Sequence, residues 1–255
     1  SNTSGFQRTV LIGINGFLET SQGKVGIENI YLEEDAARVV LREEDKEVYK
    51  LDRLGIPLVE VVTAPDLKNA EHSKEVALKI GDILRSCRVR RGIGTIRQDV
   101  NLSILGENRV EIKGMQDMNI FIGAIENEVV RQRDSKEKVK MEVRNVLPDS
   151  SSEFMRPLPG SARMYPETDL PLLKIHRDLI NEAKKDLPKL RSEVEEELKS
   201  KGLNEEMIKL LFKRGKVDEF KELSNIINNP SLIVKILLLF PKELVKKFGK
   251  NVEEL

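Results

Sequence analysis

The chain has 255 residues, and its 43 Lys and Arg balance 43 Asp and Glu, so the formal net charge is zero and a general polyanion binder is disfavoured. With 39 % hydrophobic residues, 34 % charged residues and no Trp, the composition is typical of a globular protein and argues against a disordered one. A single cysteine, Cys87, excludes an intramolecular disulfide and favours a reducing, cytoplasmic compartment, and the longest apolar run, 236–240, is too short to span a bilayer.

Short β-branched or alternating runs, separated by turn signals, predict that the first part of the chain is mostly strand. Two helical patterns interrupt these runs, at 70–88 and 120–133, and the first places Cys87 on its apolar face as a small core side chain. Because strands and helices do not alternate regularly, the predicted fold class is α+β, with a mixed, largely antiparallel sheet and packed helices. The predicted strands are residues 10–18, 25–32, 37–41, 48–51, 58–62, 95–104 and 109–113.

Prolines divide the chain. Five of the ten fall between Pro148 and Pro171, which predicts a connector without regular structure at 148–172. Beyond the connector only helix signals remain. Pro188 suits a first-turn position ahead of a helix over 190–198, and Asn204 can cap a helix over 205–213. The predicted domains are therefore a strand-rich core at 1–147, the connector, and a small all-helical domain at 173–255, in which Pro230 and Pro241 open two further short helices.

Two carboxylates fall among apolar strand residues. Alternation with a period of two places Glu34 on one face with Leu32, and Glu60 on one face with Leu58 and Val62. A lone carboxylate in such surroundings costs several kcal/mol, so each needs a partner. That partner is either a divalent cation, since Mg²⁺ prefers a few carboxylates with waters and phosphates, or a neighbouring Arg or Lys.

A row of polar side chains follows from the alternation in 95–104 and 109–113. If these strands pair in antiparallel fashion, their polar positions share one surface, which is either a platform for phosphate and metal or a solvated sheet face with ordinary ion pairs. The sequence contains no phosphate-binding loop of the P-loop type, so a nucleotide site would have to be built in another way. The predicted surface carries Arg97, Asp99, Asn101, Glu111 and Lys113.

Four ordered motifs resemble the tRNA-dependent amidotransferase family, which comprises B subunits and archaeal E subunits. They are YLEEDA at 31–36, DRLGIPLVEVV at 52–62, RQDVNLS at 97–103 and RVEIK at 109–113. Two further stretches, at 1–9 and 156–171, look like the E subunits rather than the B subunits.

The resemblance implies an ATP- and Mg²⁺-dependent ligase. It would phosphorylate the γ-carboxylate of glutamate mischarged on tRNA(Gln), and ammonia would displace the phosphate to give Gln-tRNA(Gln). The ammonia would come from an asparaginase-like D subunit, in a heterodimer or a dimer of heterodimers without a membrane partner. Two alternatives stay open: a scaffold that docks tRNA and partner without turning over ATP, and the B subunit of the Asp/Glu-tRNA enzyme.

Matching the motifs position by position assigns roles to eight residues. The resemblance implies metal binding by Glu34 and Glu60, nucleotide binding by Arg97 and Asn101, and catalysis by Glu33, Asp99, Glu111 and Lys113.

Three departures from the family pattern imply a truncated or internally shortened chain that is inactive by itself. A Gly-Leu-Glu-Ile-His type segment that supplies a metal ligand is absent, as is a tail domain that binds tRNA. An aspartyl-tRNA-synthetase-like insertion after 120–133 is reduced to 134–152.

A weak charge asymmetry separates the two halves. Residues 1–173 hold 25 Lys and Arg against 28 Asp and Glu, whereas residues 174–255 hold 18 against 15. Basic residues cluster near predicted helix ends in the second half, which predicts a contact with tRNA phosphates. The predicted contact residues are Lys213, Arg214, Lys216, Lys246 and Lys247.

Overall fold

The computed structural model describes residues 7–90, 96–158, 171 and 174–249, and its fold is α+β, as predicted. The chain divides into two compact units, of which one comprises 1–81 and 90–175 and the other 82–89 and 176–255. The boundaries at 147 and 172 that the prolines suggest stay a prediction. No helix in the described ranges is long and apolar enough to cross a membrane.

The first unit begins with a three-stranded antiparallel sheet in the order β1-β2-β5. Its strands are β1 (Thr9–Thr20), β2 (Gly23–Glu34) and β5 (Pro57–Thr63). Between β2 and β5 the chain forms a separate hairpin of β3 (Arg38–Arg42) and β4 (Glu47–Lys50). All five strands were expected from the sequence, and only their ends differ.

Helix α1 (Ala70–Ser86) holds the turn between β1 and β2 through hydrogen bonds. The Asn69 side chain caps the helix by accepting from the backbone N–H of His72 at 2.7 Å. Glu75 Oε1 accepts from the backbone N–H of Ser21 at 2.8 Å. Cys87 follows the last helical residue and is exposed, so the prediction that it packs in the core is wrong. The apolar spacing continues past the point where the helix ends.

The second sheet of the first unit has four strands in the order β6-β7-β8-β9. Only β7 and β8 are parallel, and α2 (Phe121–Asp134) connects them, as a parallel pair requires a crossover. The helix and the sheet enclose a core in which Val110, Ile112 and Phe121 are almost fully buried. The strands are β6 (Val100–Leu102), β7 (Val110–Lys113), β8 (Glu142–Val146) and β9 (Ser152–Pro157).

Three sequence predictions fail in this sheet. Strand β9 lies inside the expected connector, whose residues 159–170 and 172–173 fall outside the described ranges. Residues 96–99 and 103–104 of the predicted strand at 95–104 are not strand, and residue 95 is not described. Strand β8 was missed because two of its three core-facing positions are Glu142 and Arg144, which pair with each other at 2.7 Å and hide the apolar alternation.

The second unit is helical. Its core buries Leu198, Leu211, Phe220 and Ile233. Asn204 caps α5 by accepting from the backbone N–H of Met207 at 2.9 Å, as predicted. The helices are α3 (Arg177–Lys185), α4 (Arg191–Ser200), α5 (Glu205–Arg214), α6 (Val217–Ser224), α7 (Pro230–Val234) and α8 (Phe240–Phe248), with a π-helical segment (Lys235–Leu239) between the last two.

Candidate functional site

The predicted polar surface forms where β6 and β7 pair. The two strands are antiparallel, and Asn101 lies opposite Glu111, whereas Val100 lies opposite Ile112. Side chains alternate between faces, so Asn101 and Glu111 project from the face opposite the α2 core. We call the four residues gathered there the polar row: Asp99, Asn101, Glu111 and Lys113.

Lys113 is the centre of the polar row. Its Nζ lies 2.6 Å from Asp99 Oδ2 and 2.6 Å from Glu111 Oε1. Burial alone would lower the pKa of the Lys113 ammonium, but the hydrogen bonds and negative charges of both carboxylates outweigh it and hold the pKa above its usual value. The polar row therefore presents a fixed positive charge flanked by acceptors.

Arg97 lies near the end of the first sheet. Its Nη2 is 3.9 Å from Asp35 Oδ2, and Arg53 Nε donates to the same oxygen at 2.6 Å. The Asp35 side chain is 12 % exposed, whereas both arginines are nearly half exposed. Two guanidinium groups thus share one carboxylate and leave an excess positive charge. The sequence reasoning missed Arg53, although the motif at 52–62 contains it.

The structure does not bring Glu34 and Glu60 together. In the pairing of β2 with β5, Glu60 lies opposite Tyr31, and Glu34 lies opposite Pro57. Positions 31 and 34 of one strand face opposite sides of the sheet, so Glu34 and Glu60 do as well. The neighbouring Glu33 shares the face of Glu60 and is its diagonal neighbour, at a Cα spacing of roughly 7–8 Å.

Burial separates Glu33 from Glu34 as well. Glu33 is 7 % exposed and accepts from Thr9 Oγ1 at 3.4 Å. Glu34 has a side chain that is 34 % exposed and lies 3.7 Å from Arg8 Nη1. For Glu34 the ion-pair alternative is therefore the observed arrangement, and its role as a metal ligand stays a prediction.

Glu33 and Glu60 carry oxygen ligands of the type that Mg²⁺ prefers. No group of three or more His, Cys, Asp or Glu that could hold a metal ion occurs within the described ranges. Mg²⁺ is usually bound by one or two carboxylates, with waters and substrate phosphates completing the octahedron. Two glutamates on one face of a sheet match that donor set.

The predicted tRNA-contact residues lie at helix ends in the second unit. Lys213 and Arg214 are exposed in the last turn of α5, and Lys246 and Lys247 are exposed in the last turn of α8. Lys216 follows α5 and forms an ion pair with Glu219 at 2.6 Å.

Comparison with known proteins gives a consistent result. A model of the GatB/GatE catalytic domain matches residues 1–181. The E subunit of the glutamyl-tRNA(Gln) amidotransferase of Methanothermobacter thermautotrophicus is 31 % identical, over the whole chain and 62 % of that protein. The E subunit of the Methanocaldococcus jannaschii enzyme is also 31 % identical, over the whole chain and 63 % of that protein. That of Methanosarcina acetivorans is 53 % identical over 52 % of the chain and 21 % of that protein.

The chain spans less than two thirds of the length of these curated relatives. The first two alignments run over 388 and 397 positions, whereas the chain has 255 residues, so each alignment contains positions of the relative to which no residue of the chain corresponds. The resemblance to the archaeal E subunits, as a truncated or internally shortened member, is thus confirmed.

Proposed function

Since the chain belongs to the GatB/GatE catalytic-domain family, we propose that it carries the ATP-dependent step of a tRNA-dependent amidotransferase. The substrate would be glutamate esterified to tRNA(Gln). Its γ-carboxylate would be phosphorylated by ATP, and ammonia would displace the phosphate to give Gln-tRNA(Gln). The observation that carries this proposal is the shared face of Glu33 and Glu60, on a sheet at whose end Asp35 holds two arginines.

The residues of this face suit phosphoryl transfer, which proteins catalyse mainly by positioning and charge neutralisation. A Mg²⁺ ion bound there would neutralise phosphate charge. Glu33 and Glu60 would hold the ion, while Arg97 and Arg53 would contact phosphate oxygens through the guanidinium N–H groups that Asp35 does not use. Asp35 keeps both arginines in place.

The polar row would act on the substrate. The Lys113 ammonium stays protonated between its two carboxylates, so it remains a charged hydrogen-bond donor for a substrate oxygen. Asp99 and Glu111 orient it, and Asn101 lies beside Glu111 as a neutral donor and acceptor.

The proposed partners are those that the resemblance to the archaeal E subunits implies. Amidation needs ammonia that is protected from bulk water, which an asparaginase-like D subunit would release. The complex would be a heterodimer or a dimer of heterodimers. The D subunit and Glu-tRNA(Gln) are thus the proposed partners.

Calorimetric titration of the chain with Mg²⁺ and ATP tests the site. Glu33→Gln and Glu60→Gln should each lose most of the Mg²⁺-dependent ATP binding, because each removes one carboxylate from the shared face. Glu34→Gln is the matched control, since it alters the adjacent residue on the opposite face. Equal losses in Glu33→Gln and Glu34→Gln would contradict this assignment of the ligands.

A second candidate function is a scaffold that docks tRNA and partner without turning over ATP. The ion pair of Glu34 with Arg8, which is the observed alternative to metal binding by Glu34, favours it. Absence of any saturable ATP binding in the wild-type chain would support the scaffold over the enzyme. If the protein were a B subunit of the Asp/Glu-tRNA enzyme, the intact protein would aminate Asp-tRNA(Asn) as well as Glu-tRNA(Gln).

The tRNA contact has its own test. Reversing the charge of Lys213, Arg214, Lys216, Lys246 and Lys247 should weaken tRNA binding and flatten its salt dependence, because fewer counterions are released. The control reverses the charge of five exposed lysines elsewhere in the same unit: Lys184, Lys185, Lys209, Lys235 and Lys242. Equal effects of the two sets would make the contact a non-specific one.

A further inference from the structure

A buried network of charges lies on the core face of the second sheet. Glu142 and Arg144 of β8 lie opposite Val110 and Ile112 of β7, so they face α2 rather than the polar row. Glu142 Oε1 accepts from Arg144 Nη1 at 2.7 Å. Strand β8 and helix α2 each contribute one carboxylate and one guanidinium group, so the network has no net charge.

The α2 residues of this network are Glu128 and Arg131. The guanidinium of Arg131 donates to both carboxylate oxygens of Glu128 at 2.8 Å, and it also lies 3.3 Å from Glu142. Glu128 is 2 % exposed. Such a bidentate pair fixes the direction of the carboxylate, and Glu128 Oε1 thereby faces one further donor, Gln132.

Gln132 transfers this orientation to β6. Its Nε2 donates to Glu128 Oε1 at 2.8 Å and to the backbone oxygen of Leu102 at 3.4 Å, and its Oε1 accepts from the backbone N–H of Ile104 at 3.0 Å. The amide cannot be turned over, because Glu128 requires a donor at that position. Gln132 is 1 % exposed, so water does not replace these bonds.

Strand β6 needs such support. It has three paired residues, and in the described part of the chain it forms the edge of its sheet. Gln132 bonds the backbone on both sides of Ser103, where the strand ends. We propose that Gln132, oriented by Glu128, is a positioning residue that fixes β6 and so holds Asp99 and Asn101 in register with Glu111 and Lys113.

The proposal rests on the proposed function only for its catalytic consequence, and its structural part is tested without activity. Gln132→Leu should free the C-terminal end of β6 from α2, so that this three-residue strand shifts against β7 and Asp99, directly before it, holds the Lys113 amine less firmly. Acylation of Lys113, followed by mass spectrometry, should then rise several-fold relative to the other lysines. Asn127→Leu is the matched control, because it removes a side-chain amide of the same helix that bonds the backbone oxygen of Ser150.

A conservative variant separates positioning from general loss of folding. In Gln132→Glu, a protonated side chain can still donate to Glu128 and accept from Ile104, whereas an ionised one is repelled by Glu128. Hydrogen exchange at residues 102–104, normalised for the intrinsic rate, should therefore be near the wild-type value at pH 5 and several-fold faster at pH 8. Wild-type exchange should show no such difference.

The outcomes distinguish the two proposals. Unchanged Lys113 acylation in Gln132→Leu, or pH-independent exchange in Gln132→Glu, overturns the positioning role. If both effects occur but the wild-type chain does not bind Mg²⁺ and ATP, positioning stands and the proposed function fails. If the positioning role and the proposed function both hold, Gln132→Leu in the complete amidotransferase should raise KM for Glu-tRNA(Gln) or lower kcat, while Asn127→Leu changes neither.

Discussion

The two sheets of the first unit place their aliphatic rows in different environments. Val10, Leu32 and Val59 form a cross-strand row on the first sheet, and they are 36 %, 39 % and 47 % exposed. In the second sheet Val110 and Ile112 are fully buried under α2. Alternation defines the two faces of a strand, but only a covering element decides which face becomes core.

The candidate residues follow a common rule in both sheets. The polar row lies opposite the aliphatic face of the second sheet, and Glu33 and Glu60 lie opposite the aliphatic row of the first sheet. The second sheet is organised by a packed core, whereas the first is held by turns and hydrogen bonds at its ends. The following variants test that contrast, from the largest expected effect to the smallest.

Truncation of an aliphatic residue should have very different costs in the two sheets. Ile112→Ala removes a fully buried side chain and leaves a cavity, so we expect a loss of about 2–5 kcal/mol in the free energy of unfolding. Leu32→Ala removes a side chain that is 39 % exposed, and we expect about 1 kcal/mol or less. Urea unfolding measures both. Equal losses would mean that the aliphatic row of the first sheet is buried in solution.

The sequence predicted which side chains share a face of a strand better than it predicted which face is buried. Glu34 is predicted to be enclosed only if the side carrying Leu32 is the inside of the sheet, because a strand with one aliphatic face usually buries it. The structure exposes that face, so the buried carboxylate is Glu33. For β6 and β7 the same assumption succeeds, since α2 follows β7 directly and covers its aliphatic side.

Elements without an apolar signature could not be predicted from one sequence. Strand β8 presents Glu142 and Arg144 to its core, and these side chains belong to a network with residues of α2 that no local sequence pattern reveals. Gln132 carries no motif of its own, because its importance depends on where β6 ends. Features that depend on neighbouring residues are easier to predict: Asn204 is predicted as a helix cap because its partner, Met207, lies only three residues away.

Neutralising a carboxylate should also cost a different amount of stability in the two sheets. Glu128→Gln removes one charge from the buried network and leaves Arg131 without its bidentate partner, so we expect a loss of about 3 kcal/mol. Glu34→Gln breaks a more exposed pair with Arg8 and should cost less than about 1 kcal/mol. Thermal unfolding in low and high salt compares the two variants. A smaller effect for Glu128→Gln than for Glu34→Gln would contradict the network.

The smallest effect concerns the turn that ties the first sheet to α1. The Ser21 hydroxyl and backbone N–H, together with Lys79, lower the pKa of Glu75 from 4.5 to about 2. Since the pKa is lower in the folded state, the ionised carboxylate stabilises the fold above pH 4.5, and this contribution is lost as the pH falls towards 2.

Glu75→Gln should therefore be less stable than the wild type at pH 7, and the difference between their melting temperatures should shrink between pH 4.5 and pH 2. Ser21→Ala, which removes the first of the three donors, should give a weaker change of the same sign. A constant difference between wild type and Glu75→Gln over that range would show that the turn is not held by this carboxylate. The first sheet would then need another anchor, because its aliphatic row is exposed.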